Sequence, residues 1–159
     1  MYPNPLPISL RSLTVAVCAL AACSAWAARL EVGPGRLYTT IAQAARAARD
    51  GDTVEVMAGD YRADVAVWTQ RTLTVRAVGG RVRLIANGAS AERKAIWVVR
   101  GGDIRIEGFD FSGARVADRN GAGIRFETGR LTVVNSSLVG NENGVRTAGD
   151  PKGDRGIER

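Results

Sequence analysis

Three short stretches of the chain repeat one pattern, and the repeat restricts the fold more than any other feature. Leu73-Thr74-Val75-Arg76-Ala77-Val78, Ile104-Arg105-Ile106-Glu107-Gly108-Phe109 and Leu131-Thr132-Val133-Val134-Asn135-Ser136 each carry aliphatics first and third and a small residue fifth. They begin at positions 73, 104 and 131, so the spacings are 31 and 27 residues. The second and third stay aligned further on, with Phe111 matching Leu138 and Gly113 matching Gly140; Gly123-Ile124 recurs 21 residues later as Gly144-Val145. A strand-built unit repeating every two to three dozen residues cannot bury its apolar face alone, so copies must stack into a solenoid. With three strands per coil, each strand pairs with its equivalent one coil on. Leu73, Ile104 and Leu131 then share an interior column, and Val133, Leu138 and Trp97, the last aligned with Ile124, point inward. Gly140, Asn141, Asn143 and Gly144 are expected at corners, where left-handed backbone angles are needed and stacked asparagines bond along the axis.

The rest of the chain is consistent with that repeat. From Thr53 onward nearly every segment alternates with period two, in runs of four to ten residues mostly closed by glycine, which reads as many short strands. Ahead of them Leu30 and Val32 alternate with Arg29 and Glu31, and a Gly33-Pro34-Gly35 turn follows. Ile41, Ala44, Ala45 and Ala48 then recur at helical spacing behind Thr39 or Thr40 as N-cap, and Asp50-Gly51-Asp52 ends the run. The sequence predicts this one helix and otherwise strands.

The N-terminus reads as an address. Leu13 to Cys23 is an apolar run broken only by Thr14 and preceded by the single charge of Arg11. It is too short to span a bilayer but matches a secretory leader, with Ala25-Trp26-Ala27 as the small-x-small cleavage site. Cleavage after Ala27 assigns 1–27 to a signal peptide and predicts a secreted or periplasmic product. The competing reading takes Leu20-Ala21-Ala22-Cys23 as a lipobox, with Cys23 lipidated and an outer-membrane lipoprotein as the product. The mature protein stays attached to a membrane under that second reading, or if the apolar run is a signal anchor that is never cut.

Composition removes several functions. There is no histidine, so the commonest general base and metal ligand are missing and a Ser-His-Asp arrangement is excluded. Both cysteines, Cys18 and Cys23, lie in the leader. The formal charge is +6, carried almost wholly by arginine. Those arginines are dispersed among acids without a basic cluster or aromatic platform, which argues for a solvated or polyanion-facing surface and against nucleic acid.

Two stretches carry a family resemblance. "VGPGRLYTTIAQAARAARDGDTVEVMAGDY", with Gly51-Asp52-Thr53-Val54 and Gly59-Asp60-Tyr61, resembles the opening of secreted proteins of the pectate-lyase-like superfamily. "VNSSLVGNENGV" is similar to the later coils of those proteins. The resemblance covers roughly Leu30 to Val145 and implies an all-β fold: a right-handed single-stranded parallel β-helix with an N-terminal capping helix and about four coils, at 28–148. From Gly149 the chain is charged and loses its alternation, so 149–159 is expected to be irregular. Because solenoids need a polar terminal cap, the expectation is an N-terminal portion of a longer protein, with a non-native tail from about Lys152.

Proteins of that superfamily cleave acidic polysaccharides by elimination, hydrolyse glycosidic bonds with paired carboxylates, or bind sugars without catalysis. Hydrolysis needs two carboxylates about 5 to 10 Å apart. Elimination needs a base with cationic or Ca²⁺ neutralisation of the uronate; Ca²⁺ is implied by the resemblance alone. The outward positions of the best strands are Arg105, Glu107, Asp110, Arg125 and Glu127, which are candidates to touch substrate. Their alignment places Arg105 over Thr132, Glu107 over Val134 and Asp110 over Ser137, which pairs no carboxylates there. Alternating surface charge that keeps a long sheet soluble explains the same residues. No catalytic residue stands out. The expected protein is a monomer facing acidic polysaccharide, either the N-terminal part of a polysaccharide lyase or glycoside hydrolase, or a non-catalytic surface or carbohydrate-binding solenoid.

Overall fold

The computed structural model describes residues 27–148 and, as backbone, 157–158. Cys23, the apolar leader run and most of the 149–159 tail fall outside the described residues. In chain order the elements are β1 (Arg29–Val32), α1 (Ile41–Ala47), β2 (Thr53–Arg62), β3 (Ala66–Trp68), β4 (Thr72–Ile85), β5 (Ala95–Glu107), β6 (Phe109–Ser112), β7 (Ala122–Val134), β8 (Asn143–Thr147) and β9 (Ile157–Glu158). Every pairing between these strands is parallel, and register partners lie 21 to 31 residues apart, from Thr53↔Thr74 to Thr72↔Asp103. The chain is therefore a parallel β-solenoid of about four coils.

Three ladders form the wall. The first runs through β1, the opening halves of β2 and β4, the closing halves of β5 and β7, and β9. The second joins the closing halves of β2 and β4 to β6. The third joins β3, the opening halves of β5 and β7, and β8. The aliphatic columns stack as the repeat requires, with Leu73↔Ile104↔Leu131 and Leu30↔Val54↔Val75↔Ile106↔Val133 in register. All eight of these side chains are buried. Between the second and third ladders the interior is aromatic. Trp97 meets Trp68, Phe109 and Phe111 at ring-centroid separations of 5.2, 5.0 and 5.0 Å, in edge-on or tilted arrangements. Such pairs add to the area they bury.

The helix belongs to the same core through Ile41, Ala44 and Ala45. At seven residues it is too short to stand alone, and side chains from the first coil hold both its ends. Thr40 and Gln43 form a capping box, and the Asp64 carboxylate accepts from the Ile41 and Ala42 amides at 2.6 and 3.0 Å. At the other end the Gln70 amide donates to the carbonyls of Ala45 and Ala48. Buried Asp52 ties the neighbouring turn, accepting from the Ala28 and Arg49 amides.

Two expectations need correction. Three strands exceed the expected four to ten residues, with 14 in β4 and 13 in β5 and β7. Glycines turn the chain at corners without ending the parallel pairing. At the corner between the third and first ladders, Gly102 sits at φ +78° and Gly129 at φ +99°. A Cβ on Gly102 would lie 2.2 Å from the Gln70 carbonyl oxygen, and one on Gly129 would lie 2.2 Å from that of Gly102. The second correction concerns the asparagines. Asn143 and Gly144 lie inside β8, and of the four residues expected at corners only Gly140 takes a positive φ. Asn141 does bond along the axis, but to backbone: its Oδ1 accepts from Ala114 and its Nδ2 donates to the Phe111 carbonyl, both at 2.9 Å.

The corner geometry separates two glycine substitutions. Gly129→Ala meets both a left-handed backbone and a carbonyl, and is expected to lose more than about 3 kcal/mol. Gly140→Ala, at φ +76° with open space around it, is expected to lose about 1–2 kcal/mol. Denaturant unfolding of the two variants measures the difference.

Candidate functional site

At the corner between the second and third ladders, connections of unequal length leave the wall. Residues 63–65 suffice between β2 and β3, whereas 86–94 separate β4 from β5 and 113–121 separate β6 from β7. Both longer loops are fixed by specific contacts. Ala91 exchanges backbone hydrogen bonds with Ala95 and joins Ala95, Val98 and Ala122 in a small apolar cluster outside the third ladder. The other loop is gathered by one carboxylate, since Glu142 Oε2 accepts from both the Val116 and Gly121 amides. Burying Val98 and Ala122 under the first loop explains why it folds back across the wall instead of projecting into solvent.

Together the loops rim a cavity of about 650 Å³ on the outer face of the third ladder. Its lining contains Arg93, Lys94, Arg115, Arg125 and Arg146, opposed by Glu92 and Asp118. Five cations face two acids, so the field inside is positive. Arg125 and Arg146 are register partners on adjacent rungs, about 4.8 Å apart along the ladder. Among the described residues neither has an ion-pair partner, and the buried Arg125 Nε has no hydrogen-bond partner.

A neutralised group of four adjoins the cavity and shares Glu92 and Lys94 with its lining. Glu127 accepts from Lys94 Nζ and Arg100 Nε, each at 3.0 Å, and Glu92 pairs with the same two cations. The hydrogen bond from Lys94, joined by that from Arg100, holds the Glu127 carboxyl below the usual glutamate range against the opposing effect of burial. This network braces the edge of the loop at 86–94.

The five outward residues singled out in the sequence occupy all three ladders and do not converge on one site. Arg125 lines the cavity and Glu127 belongs to the bracing network beside it. Arg105 and Glu107 are on the first ladder, 3.4 Å from one another, where with Arg29 and Arg76 they line a shallower hollow of about 450 Å³. Asp110 is on the second ladder, paired with Arg81, which also donates to the Asn135 carbonyl. Their registers over Thr132, Val134 and Ser137 hold as expected. A stacked carboxylate pair does occur elsewhere, between the Cα partners Glu31 and Glu55. Each is bound by arginine: Glu31 by Arg36 at 2.8 Å, Glu55 by Arg29 and Arg76. Among the described residues no group of three or more Asp, Glu, Cys or His is placed to hold a cation, and no helix is long and apolar enough to cross a membrane.

Sequence reasoning missed Arg93, Arg115 and Arg146. For Arg93 and Arg115 the available signal was the pair of basic interruptions between otherwise alternating strands, "NGASAERK" and "GARVADRNG"; Arg146, within β8, had no such signal. Compared with known proteins, the chain matches no family model, no curated protein and no solved structure.

Because the Glu127 carboxyl is lowered by folding, its contribution to stability is fully present above the unfolded value of about 4.3 and is lost as pH falls through its lower folded value. Glu127→Gln is expected to cost no more than about 1 kcal/mol at neutral pH, since the group is partly solvated. The gap between wild type and variant should close on acidification below that window. Urea midpoints measured across acidic pH test the direction.

Proposed function

We propose that this chain is an exported solenoid that binds acidic polysaccharide along the outer face of its third ladder. The observation that carries the reading is the cavity with five cations against two acids, two of them arginines on adjacent rungs with no protein counter-ion among the described residues. Unneutralised like charges stacked across strands destabilise a sheet, so a site that keeps them is better explained by an anionic ligand than by solubility. An extended wall with repeat spacing suits a polymer. The leader ending at Ala27, with lipidation at Cys23 as the other route, would deliver the protein where such polymers occur.

The reading includes a right-handed wind, α1 as the cap of the first coil, and kinship with the pectate-lyase-like superfamily, supported by the Gly51-Asp52-Thr53-Val54 opening and the parallel ladders. An enzymatic role, as the N-terminal part of a lyase or hydrolase, has one observation in its favour. Asp118 lies in the cavity among cations and has no ion-pair partner among the described residues, which leaves its carboxylate available to face a bound ligand.

Binding and cleavage separate the two readings. The chain is expected to bind polygalacturonate or a sulfated polysaccharide but not neutral dextran, with affinity falling steeply as salt is added. Incubation with the same polymers should release neither reducing ends nor unsaturated uronates. Product formation abolished by Asp118→Asn would establish the enzymatic role, and equal binding to neutral dextran would remove the polyanion reading.

A further inference from the structure

We propose that the cavity on the third ladder recognises a tetrahedral oxyanion ester on a sugar ring, a sulfate or phosphate group, through Arg93, Arg125 and Arg146. The inference deepens the polyanion reading above and rests on it. Its starting point is a mismatch between donors and acceptors. Among the described residues, none of these three arginines has a hydrogen-bond or ion-pair partner, although each guanidinium carries five N–H donors. One carboxylate offers two coplanar oxygens with about four lone-pair sites, enough for two guanidinium forks. Three guanidinium groups around one cavity exceed that capacity, whereas an ester of sulfate or phosphate presents three free oxygens in three directions.

Two further observations point to an occupant. The Arg125 Nε is withdrawn from water without gaining an acceptor, a loss that native structures ordinarily compensate. Its rung neighbour Arg146 carries the same charge at the same register. An anion seated between the two removes both the unpaired donor and the repulsion.

Arg93 reaches the cavity through a strained loop. Glu92 and Arg93 take φ values of +52° and +56° in succession, left-handed conformations that residues with side chains rarely adopt. The ion pairs of Glu92 with Lys94 and Arg100, and the hydrogen bonds between Ala91 and Ala95, hold the loop in that form. Strain kept in place by surrounding contacts is frequent at ligand sites. The cavity volume, far beyond that of a free ion and within the usual range for ligand pockets, leaves room for the sugar that bears the ester. Ser90 and Asn120 on the rim offer hydroxyl and amide partners to it.

The test uses the full chain and three polymers matched in charge per sugar: dextran sulfate, phosphorylated dextran and polygalacturonate, titrated at low ionic strength. One or both esters should bind at least about tenfold tighter than the carboxylate polymer, the order of factor that a lost charge-assisted hydrogen bond carries. The tighter ester identifies the natural source of the group. Arg125→Gln and Arg146→Gln should each weaken the favoured ester about tenfold, with circular dichroism confirming the fold. Arg146 is exposed, so its variant guards against misfolding. Arg130→Gln, on the first ladder, should bind as wild type. Polygalacturonate binding as tightly as the esters would overturn this inference while leaving the polyanion reading intact. No binding to any of the three would overturn both. An ester preference that survives Arg125→Gln and Arg146→Gln would overturn the location.

Discussion

Parallel pairing of each strand with its own equivalent one coil later is the constraint from which the rest of this molecule follows. It places Leu30, Val54, Val75, Ile106 and Val133 in a single interior file. Because side chains alternate across a strand, the same pairing also stacks the outward residues in files. A charge on the outer face is therefore never isolated, and its neighbours on adjacent rungs decide what it does. Glu55 is neutralised by Arg29 and Arg76, Asp60 meets Arg83, and Arg125 stands between apolar Val98 and like-charged Arg146. One register rule yields both a silent ion-paired wall and an unbalanced cationic patch.

The wall was legible in the sequence because stacking leaves a repeat. Leu73, Ile104 and Leu131 occupy equivalent places in three successive coils, and no helical or antiparallel arrangement asks for that spacing. The position of Trp97 over Ile124 followed from the same alignment. Strand length was not legible, since a glycine at a corner and a glycine after a strand look alike in sequence. Only the carbonyl lying under Gly129 distinguishes them. The role of Asn141 was half visible: its axial hydrogen bonds were expected, its backbone partners were not.

The candidate site was less legible than the wall, for a physical reason. Arg93 and Arg115 sit in loops that break the alternation, where no period assigns a direction to a side chain. Arg125 was recognised as outward, but its significance depends on Arg146, 21 residues later, and on two loops folding back over the third ladder. Glu142, which gathers the loop at 113–121 through two backbone amides, gives no local sign of that task. The other outward charges on regular strands were as conspicuous and turned out to be paired, as with Arg105 and Glu107, or Asp110 and Arg81.

The corner between the second and third ladders admits three residues in one coil and nine in each of the next two, while the strands on either side stay in register. Loop length there is thus uncoupled from the architecture that carries it. Insertion or loss of a few residues at this corner would remodel the mouth of the cavity and spare the aliphatic files beneath. A scaffold of this kind can have a single edge edited without renegotiating its interior.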